Sequence, residues 1–168
     1  MTLWLVGLMG SGKTSAGRLA ASNLGLPFSD TDEVVARRMG CSVAQLWGDL
    51  GEAAFRDMEK VALEDLAHSD GVVATGGGVV LDEENRRTLV SSGKVVWLEA
   101  SPAVLAKRLE GAEGRPLLLV PDGDRYSVLV RQLAERAELY AEVASHRITT
   151  DELTVEQVAD RIEEIWNA

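Results

Sequence analysis

The run Gly7-Leu8-Met9-Gly10-Ser11-Gly12-Lys13-Thr14 satisfies G-x-x-x-x-G-K-[ST] at every position and directly follows the apolar segment Leu3-Trp4-Leu5-Val6. A buried strand, a glycine turn and a helix must therefore succeed one another at the amino end. The glycines let the backbone curl until successive N–H groups converge on one anion; Lys13 then reaches the outer phosphates of a nucleotide, and the Thr14 hydroxyl can ligate Mg²⁺. Gly10, Ser11, Gly12, Lys13, Thr14 and Ser15 are the candidate nucleotide-binding residues. A Gly/Ser-rich turn matching by chance would lack the strand before it and the helix after it.

The rest of the chain repeats the alternation of strand and helix. Thr14 to Leu24 is Ala-rich and helical in period, stopped by Gly25 and Pro27. A short strand over 27–29 delivers Asp30-Thr31-Asp32, a helix over 33–39 ends at Gly40, and Ser42 caps a segment running toward Gly51. Phe55, Met58, Val61, Ala62 and Leu66 form an apolar stripe on a helix over 52–68, whose polar face carries Arg56 and Glu59. Val72-Val73-Ala74 is a buried strand entering Gly76-Gly77-Gly78, and Val95 to Leu98 is the next. Ser101-Pro102 opens a helix to Leu109; residues 111–124, rich in Gly, Pro and Asp, form a loop. A helix over 126–143, a strand over 147–149 and a final helix over 154–166 complete an α/β domain with a mainly parallel, five-stranded sheet. Ligands of such sheets bind beyond the carboxyl ends of the strands, so the phosphate loop, Asp30 to Asp32 and Gly76 to Gly78 are expected on one rim.

Composition limits the partners. The 168 residues carry a formal net charge of -10, which argues against a nucleic-acid surface, because phosphate backbones require clustered Lys and Arg. Anionic ligands must be met by local cations. No apolar stretch approaches the roughly 18 to 20 residues of a membrane span, and no basic, cleavable leader precedes Trp4, so a cytoplasmic monomer of one domain over 1–168 is expected. The single cysteine, Cys41, has no metal-ligand spacing around it and reads as packing.

Phosphoryl transfer needs charge neutralisation and in-line positioning more than covalent chemistry. Lys13 supplies positive charge, Thr14 a metal ligand, and Asp30, on the neighbouring strand, a carboxylate for the metal's inner or outer shell. Asp32 is placed to orient an acceptor hydroxyl or take its proton; the competing reading of Asp-x-Asp after a strand is a helix N-cap. A regulatory GTPase or motor is poorly supported: no Asp-x-x-Gly occurs, no Asn is followed by Lys, and no apolar strand ends in Asp. Glu99 after Leu98 reads most simply as a strand terminus.

Six segments in order, Gly7 to Thr14, Asp30-Thr31-Asp32, Gly51-Glu52-Ala53-Ala54-Phe55-Arg56, Gly76-Gly77-Gly78, Arg115-Pro116-Leu117-Leu118 and Arg136-Ala137-Glu138-Leu139-Tyr140, together resemble the shikimate kinases over nearly the whole chain. The resemblance implies a nucleoside-monophosphate-kinase-like P-loop fold, a three-layer α/β sandwich. It implies transfer of the ATP γ-phosphate to the 3-hydroxyl of shikimate, on the route to chorismate and the aromatic amino acids. By similarity, Arg56 and Arg136 grip the substrate carboxylate, for which a planar guanidinium is well shaped. Gly76, Gly77 and Gly78 offer N–H groups and room for the ring, and a substrate-binding segment covers about 31–60. Asp32 holds ring hydroxyls as base or orienter, and Thr14 and Asp30 serve Mg²⁺. Arg115 belongs to a lid over about 111–124 that closes over ATP, and Arg108 matches a residue that stacks on adenine. The segment from Thr150 to Thr154 lacks the proline often found facing that base, leaving Leu153 or backbone to substitute.

His68 and His146 have no partner spacing that marks a metal site. Trp4, Trp97 and Trp166 read as core, while Trp47 serves equally as core or as a wall of the substrate site. The alternatives to a shikimate kinase are a related kinase acting on gluconate or a nucleoside monophosphate, and a nucleotide-binding paralogue without catalysis.

Overall fold

The computed structural model describes residues 1–110 and 125–168. Five strands form one sheet in the order β2-β3-β1-β4-β5, and every neighbouring pair is parallel. They are β1 (Thr2–Val6), β2 (Phe28–Asp30), β3 (Gly71–Ala74), β4 (Gly93–Glu99) and β5 (His146–Thr149). The helices between them are α1 (Lys13–Leu24), α2 (Thr31–Met39), α3 (Val43–Leu66), α4 (Glu83–Ser92), α5 (Pro102–Arg108), α6 (Arg125–Val143) and α7 (Val155–Asn167). The lid expected over 111–124, with Arg115, lies outside the described residues.

Alternation along β1 explains the three layers. Leu3 and Leu5 face α1 and α7 with Val72, Val96, Leu98 and Ile148, while Trp4 and Val6 face α4, α5 and α6 with Val73, Val95 and Trp97. Because β1 is covered on both faces, all five of its residues are buried, as a central parallel strand requires. Burial of each large apolar side chain contributes about 1.5–3 kcal/mol, which makes this strand and its neighbours the main stabilising unit. The Trp4 indole N–H is satisfied within the core by Ser92 Oγ at 3.0 Å.

The helix boundaries follow their caps. Asp30 caps α2, Ser42 and Gln45 form a capping box on α3, and Thr154 and Gln157 form another on α7. Gly51, at φ 81°, breaks α3 into the two segments its sequence suggests. Two expectations change. The buried face of α3 runs through Phe55, Glu59, Ala62 and Leu63, whereas Val61 is 52% exposed; Glu59 lies one helical turn beyond Phe55 and belongs to the core face, not the polar one. Residues 83–92, which carry too few apolar positions to announce a stripe, form α4 under an Asp82 cap whose carboxylate accepts from the N–H groups of Glu84 and Asn85.

The chain leaves β1 toward β2 and, after β3, crosses to β4 on the other side of β1. That reversal opens a crevice at the carboxyl ends of the central strands. Helix α1 lies close against the sheet because it presents Ala16, Gly17, Ala20 and Ala21 to it. A Cβ on Gly17 would lie 2.5 Å from Leu5 Cδ1 and 3.0 Å from Phe28 Cε2. Gly17→Ala should therefore destabilise the fold by about 1–2 kcal/mol, since overpacking outweighs the roughly 1 kcal/mol gained in helix propensity. Thermal unfolding should show a midpoint lowered by a few degrees; an unchanged or higher Tm would contradict this packing.

Candidate active site

A cleft of about 850 Å³ runs along the carboxyl rim of the sheet. Gly10 to Ser15, Asp30, Asp32, Arg56, Gly76 to Gly78, Arg108 and Arg136 all line it, so the described candidates converge on one surface. Arg115 lies outside the described residues.

The phosphate loop occupies the middle of the cleft. A Cβ on Gly7, whose φ is 141°, would collide with the Leu98 carbonyl, and Gly12 starts α1 from the left-handed region at φ 95°. The amino end of α1 thus becomes part of the cleft wall, a favourable seat for an anion. Lys13 is buried beneath it. Its Nζ donates to the carbonyl oxygens of Gly7 at 2.7 Å and Leu8 at 2.8 Å, with Ser11 Oγ at 3.4 Å.

Asp30 joins the two halves. One carboxylate oxygen caps α2 by accepting from the Asp32 N–H at 3.0 Å; the other accepts from the Thr14 hydroxyl at 2.7 Å. The helix-cap reading of this aspartate holds, and the same carboxylate lies beside the Thr14 hydroxyl. The Thr31 hydroxyl accepts from the Gly76 N–H at 3.0 Å, which ties the end of β2 to the glycine turn and sets Asp32 beside it.

The glycine turn is surrounded by charge. A Cβ on Gly76 would overlap Glu59 Oε1 and come within 2.9 Å of Asp32 Oδ1, and one on Gly78 would overlap the Arg56 guanidinium. Arg56 Nη1 donates to Glu59 Oε2 at 2.7 Å, and Arg136 Nη1 donates to the Gly77 carbonyl at 3.1 Å. The Tyr140 hydroxyl donates to the same carbonyl, and its buried ring stacks on Trp97 at 5.7 Å. Burial raises the Tyr140 pKa, keeping the phenol a donor. Trp47 lies 5.2 Å from Phe55, has the Arg56 guanidinium 5.4 Å from its ring, and also lines the cleft, so it is both packing and wall.

Glu59, Tyr140 and Thr150 are structural partners of the site that residue type alone did not mark. The signal for Glu59 is its spacing, four residues after Phe55 and three before Ala62, with Arg56 one turn away to pair with a buried carboxylate. For Tyr140 it was the i,i+4 spacing from Arg136. Arg108 is held at the far end of the cleft: Nη1 donates to Thr150 Oγ1 at 3.0 Å and to Gly10 O at 3.4 Å, and Nη2 donates to Thr150 O at 2.6 Å. Leu153, Thr154, Val155 and Val158 continue that wall.

Other candidates stay outside the site. Glu99 ends β4 and pairs with Arg147, whose Nε lies 2.7 Å from its carboxylate. His68 is exposed and His146 meets Ser145 Oγ; among the described residues no three or more His, Cys, Asp and Glu side chains gather as a metal cluster. Cys41 packs against the cluster of Val35, Leu46 and Phe55.

Burial raises the Glu59 pKa above the ordinary glutamate value of 4.5, against the opposing pull of Arg56 and Arg136. The folded protein consequently retains a proton that the unfolded chain has released. Stability should fall as pH rises from about 4.5 to the folded pKa and level off above it. Glu59→Gln should flatten that segment of the profile in urea unfolding at graded pH; parallel wild-type and variant profiles would refute the assignment.

The family model for shikimate kinase matches residues 9–166. A shikimate kinase of Symbiobacterium thermophilum is 44% identical over 168 residues, covering 98% of this chain and 95% of the relative. One from Synechococcus is 39% identical and covers 100% of this chain and 87% of its own. Among solved structures, the shikimate kinase from Acinetobacter baumannii in complex with shikimate superposes with a TM-score of 0.93 at 34% identity, covering 99% of this chain and 92% of that one. A gluconokinase from Sinorhizobium meliloti, at 21% identity and a TM-score of 0.60 over 97% of this chain and 89% of its own, shares the fold.

Proposed function

The chain belongs to the shikimate kinase family, and from that premise we propose that its cleft transfers the γ-phosphoryl group of ATP to the 3-hydroxyl of shikimate, giving ADP and shikimate 3-phosphate. The observation that carries this reading is the sharing of one cleft by a phosphate loop and, across Asp30, a pocket with Asp32 and two arginines around a glycine turn. A donor and an acceptor site are thereby held next to each other. The protein acts as a single-domain cytoplasmic monomer, with 31–60 contributing much of the acceptor pocket.

The amides of Gly10, Gly12 and Ser15 with the Ser11 and Thr14 side chains hold the ATP phosphates, and Lys13 exchanges its loop carbonyls for the outer phosphate oxygens. Thr14 and Asp30 present adjacent hard oxygen donors, which suit Mg²⁺; bound with ATP, the ion neutralises phosphate charge. Arg108 contributes the wall for adenine, opposite Leu153 and Val155. Arg115 would add positive charge to the transferred group from the lid.

Arg56 and Arg136 bind the acceptor carboxylate. Glu59 holds the Arg56 guanidinium from below, and Tyr140 and Arg136 share the Gly77 carbonyl, fixing the turn against which the ring lies. Asp32 accepts a hydrogen bond from the 3-hydroxyl and aims its lone pair at the γ-phosphorus. As the new O–P bond forms and the bond to the ADP oxygen breaks, the hydroxyl proton passes to Asp32.

ADP release measured in parallel with shikimate, gluconate and nucleoside monophosphates tests the assignment: turnover should depend on shikimate. Folded protein that binds Mg-ATP yet turns over none of it would overturn the reading. Asp32→Asn should keep ATP binding and lose about 10²-fold or more in kcat, the range of a positioned acid-base group; activity near wild type would remove Asp32 from the step. Gly78→Ala, by displacing Arg56, should raise the shikimate KM about tenfold with a smaller change in kcat, as loss of a charged ground-state contact predicts. A normal KM would show that Arg56 binds no carboxylate.

A further inference from the structure

We infer that Thr150 is a positioning residue for the nucleotide: through Arg108 it fixes a flat cationic surface on which the base rests. The inference builds on the reading of the cleft as an ATP site. The phosphate loop sets where the phosphates lie, and Asp32, Arg56 and Arg136 occupy the acceptor end. The remaining wall, formed by Arg108, Thr150, Leu153, Val155 and Val158, is the part a base can reach. It is largely apolar, with one guanidinium.

Arg108 is the last residue of α5 and is exposed, so without tethers its side chain would sample many rotamers. Thr150 restrains it. Thr150 is 1% exposed, and both its N–H, at 2.8 Å, and its hydroxyl, at 3.1 Å, donate to the Glu99 carbonyl at the end of β4. The hydroxyl hydrogen is thereby committed, leaving an oxygen lone pair for Arg108 Nη1, while the Thr150 carbonyl takes Nη2. Two terminal nitrogens are spent along one edge of the guanidinium, and the third contact, to Gly10 O, sets its distance from the phosphate loop. Spent in this way, Arg108 does not act as a forked phosphate clamp. Its planar face remains for stacking, which an arginine supplies and a lysine does not. The hydroxyl is dispensable for the β4 contact, because the Thr150 N–H serves the same carbonyl.

The test compares ATP with inorganic tripolyphosphate, which engages the phosphate loop but carries no base, by calorimetric binding to the full chain. Thr150→Val should weaken ATP about three- to tenfold, the scale of one lost hydrogen bond, and leave tripolyphosphate affinity and the shikimate KM unchanged. Thr150→Ser should restore ATP binding. Arg108→Lys should lose ATP affinity despite keeping the charge, and in an Arg108→Ala background Thr150→Val should add nothing. Equal losses for ATP and tripolyphosphate, or additive losses in the double variant, would overturn the inference. Should Thr150→Val fail to fold, Thr150→Ala is read against the same two ligands. Absence of shikimate turnover in the wild type would refute the kinase reading, while the ATP and tripolyphosphate comparison would still decide the role of Thr150.

Discussion

The cleft depends first on the register of β1 between β3 and β4. Leu5 pairs with Ala74 and with Val96, and Asp30 of β2 pairs with Ala74, so the parallel strands end nearly level and release their next residues onto one rim. Gly7, Thr31 and Thr75 are those residues, and two of the cross-links at the rim are made at once: Thr75 donates through both N–H and hydroxyl to the Leu5 carbonyl, and Thr31 accepts from Gly76. A slip of one residue in β3 would turn its buried side chains to the opposite face and break both links. The active geometry is thus a consequence of core burial, and the strongest stabilising force in the molecule also aligns its chemistry.

Onto this rigid rim the fold places charges that water would otherwise solvate. Glu59 is fully buried and Arg136 is 5% exposed, with Arg56 reaching between them and the cleft. Such groups add little net stability, since desolvation offsets much of their attraction, and loss of one partner leaves the other buried and uncompensated. Their value lies in orientation. Glu59 keeps the Arg56 guanidinium from turning away to solvent, and the Gly77 carbonyl does the same for Arg136, so both line the cleft as fixed donors. In a chain of net charge -10, Lys13, Arg56, Arg108 and Arg136 concentrate positive charge along this one cleft.

The elements most legible in sequence were those whose local signals agreed with their tertiary use. The apolar run before Gly7 is a central strand, Ser101-Pro102 opens a helix, and the strand ends bearing Asp30 and Gly76 meet at one rim, because each pattern is set by neighbours in the chain. Glu59 departs from the usual pattern for a physical reason: a glutamate ordinarily marks the solvent face of a helix, and here its burial is made tolerable by the Arg56 guanidinium one turn away on the same helix, packed against the glycine turn. Helix α4 is silent in the sequence because Leu89 is its one buried apolar residue, beside the buried polar Asn85, too little for periodicity to register. Thr150 carries no motif at all. Its importance arises from a carbonyl and a hydroxyl that happen to face Arg108 across 42 positions of sequence, a relation that only folding creates.

The resting arrangement of Lys13 completes this logic. Its ammonium is bonded to two carbonyls of its own loop, so the buried charge is not left bare. The loop can therefore keep its curled form before ATP arrives, since the lysine neutralises the carbonyl dipoles that crowd beneath it. The same holds at Arg108, whose guanidinium is bonded to Thr150 and Gly10, and at Asp30, whose carboxylate links Thr14 to the cap of α2. Because each of these charged groups is anchored to backbone or to a buried partner, the cleft is organised before anything enters it, and fixed charges and dipoles of that kind are what favour a transition state over bound substrates.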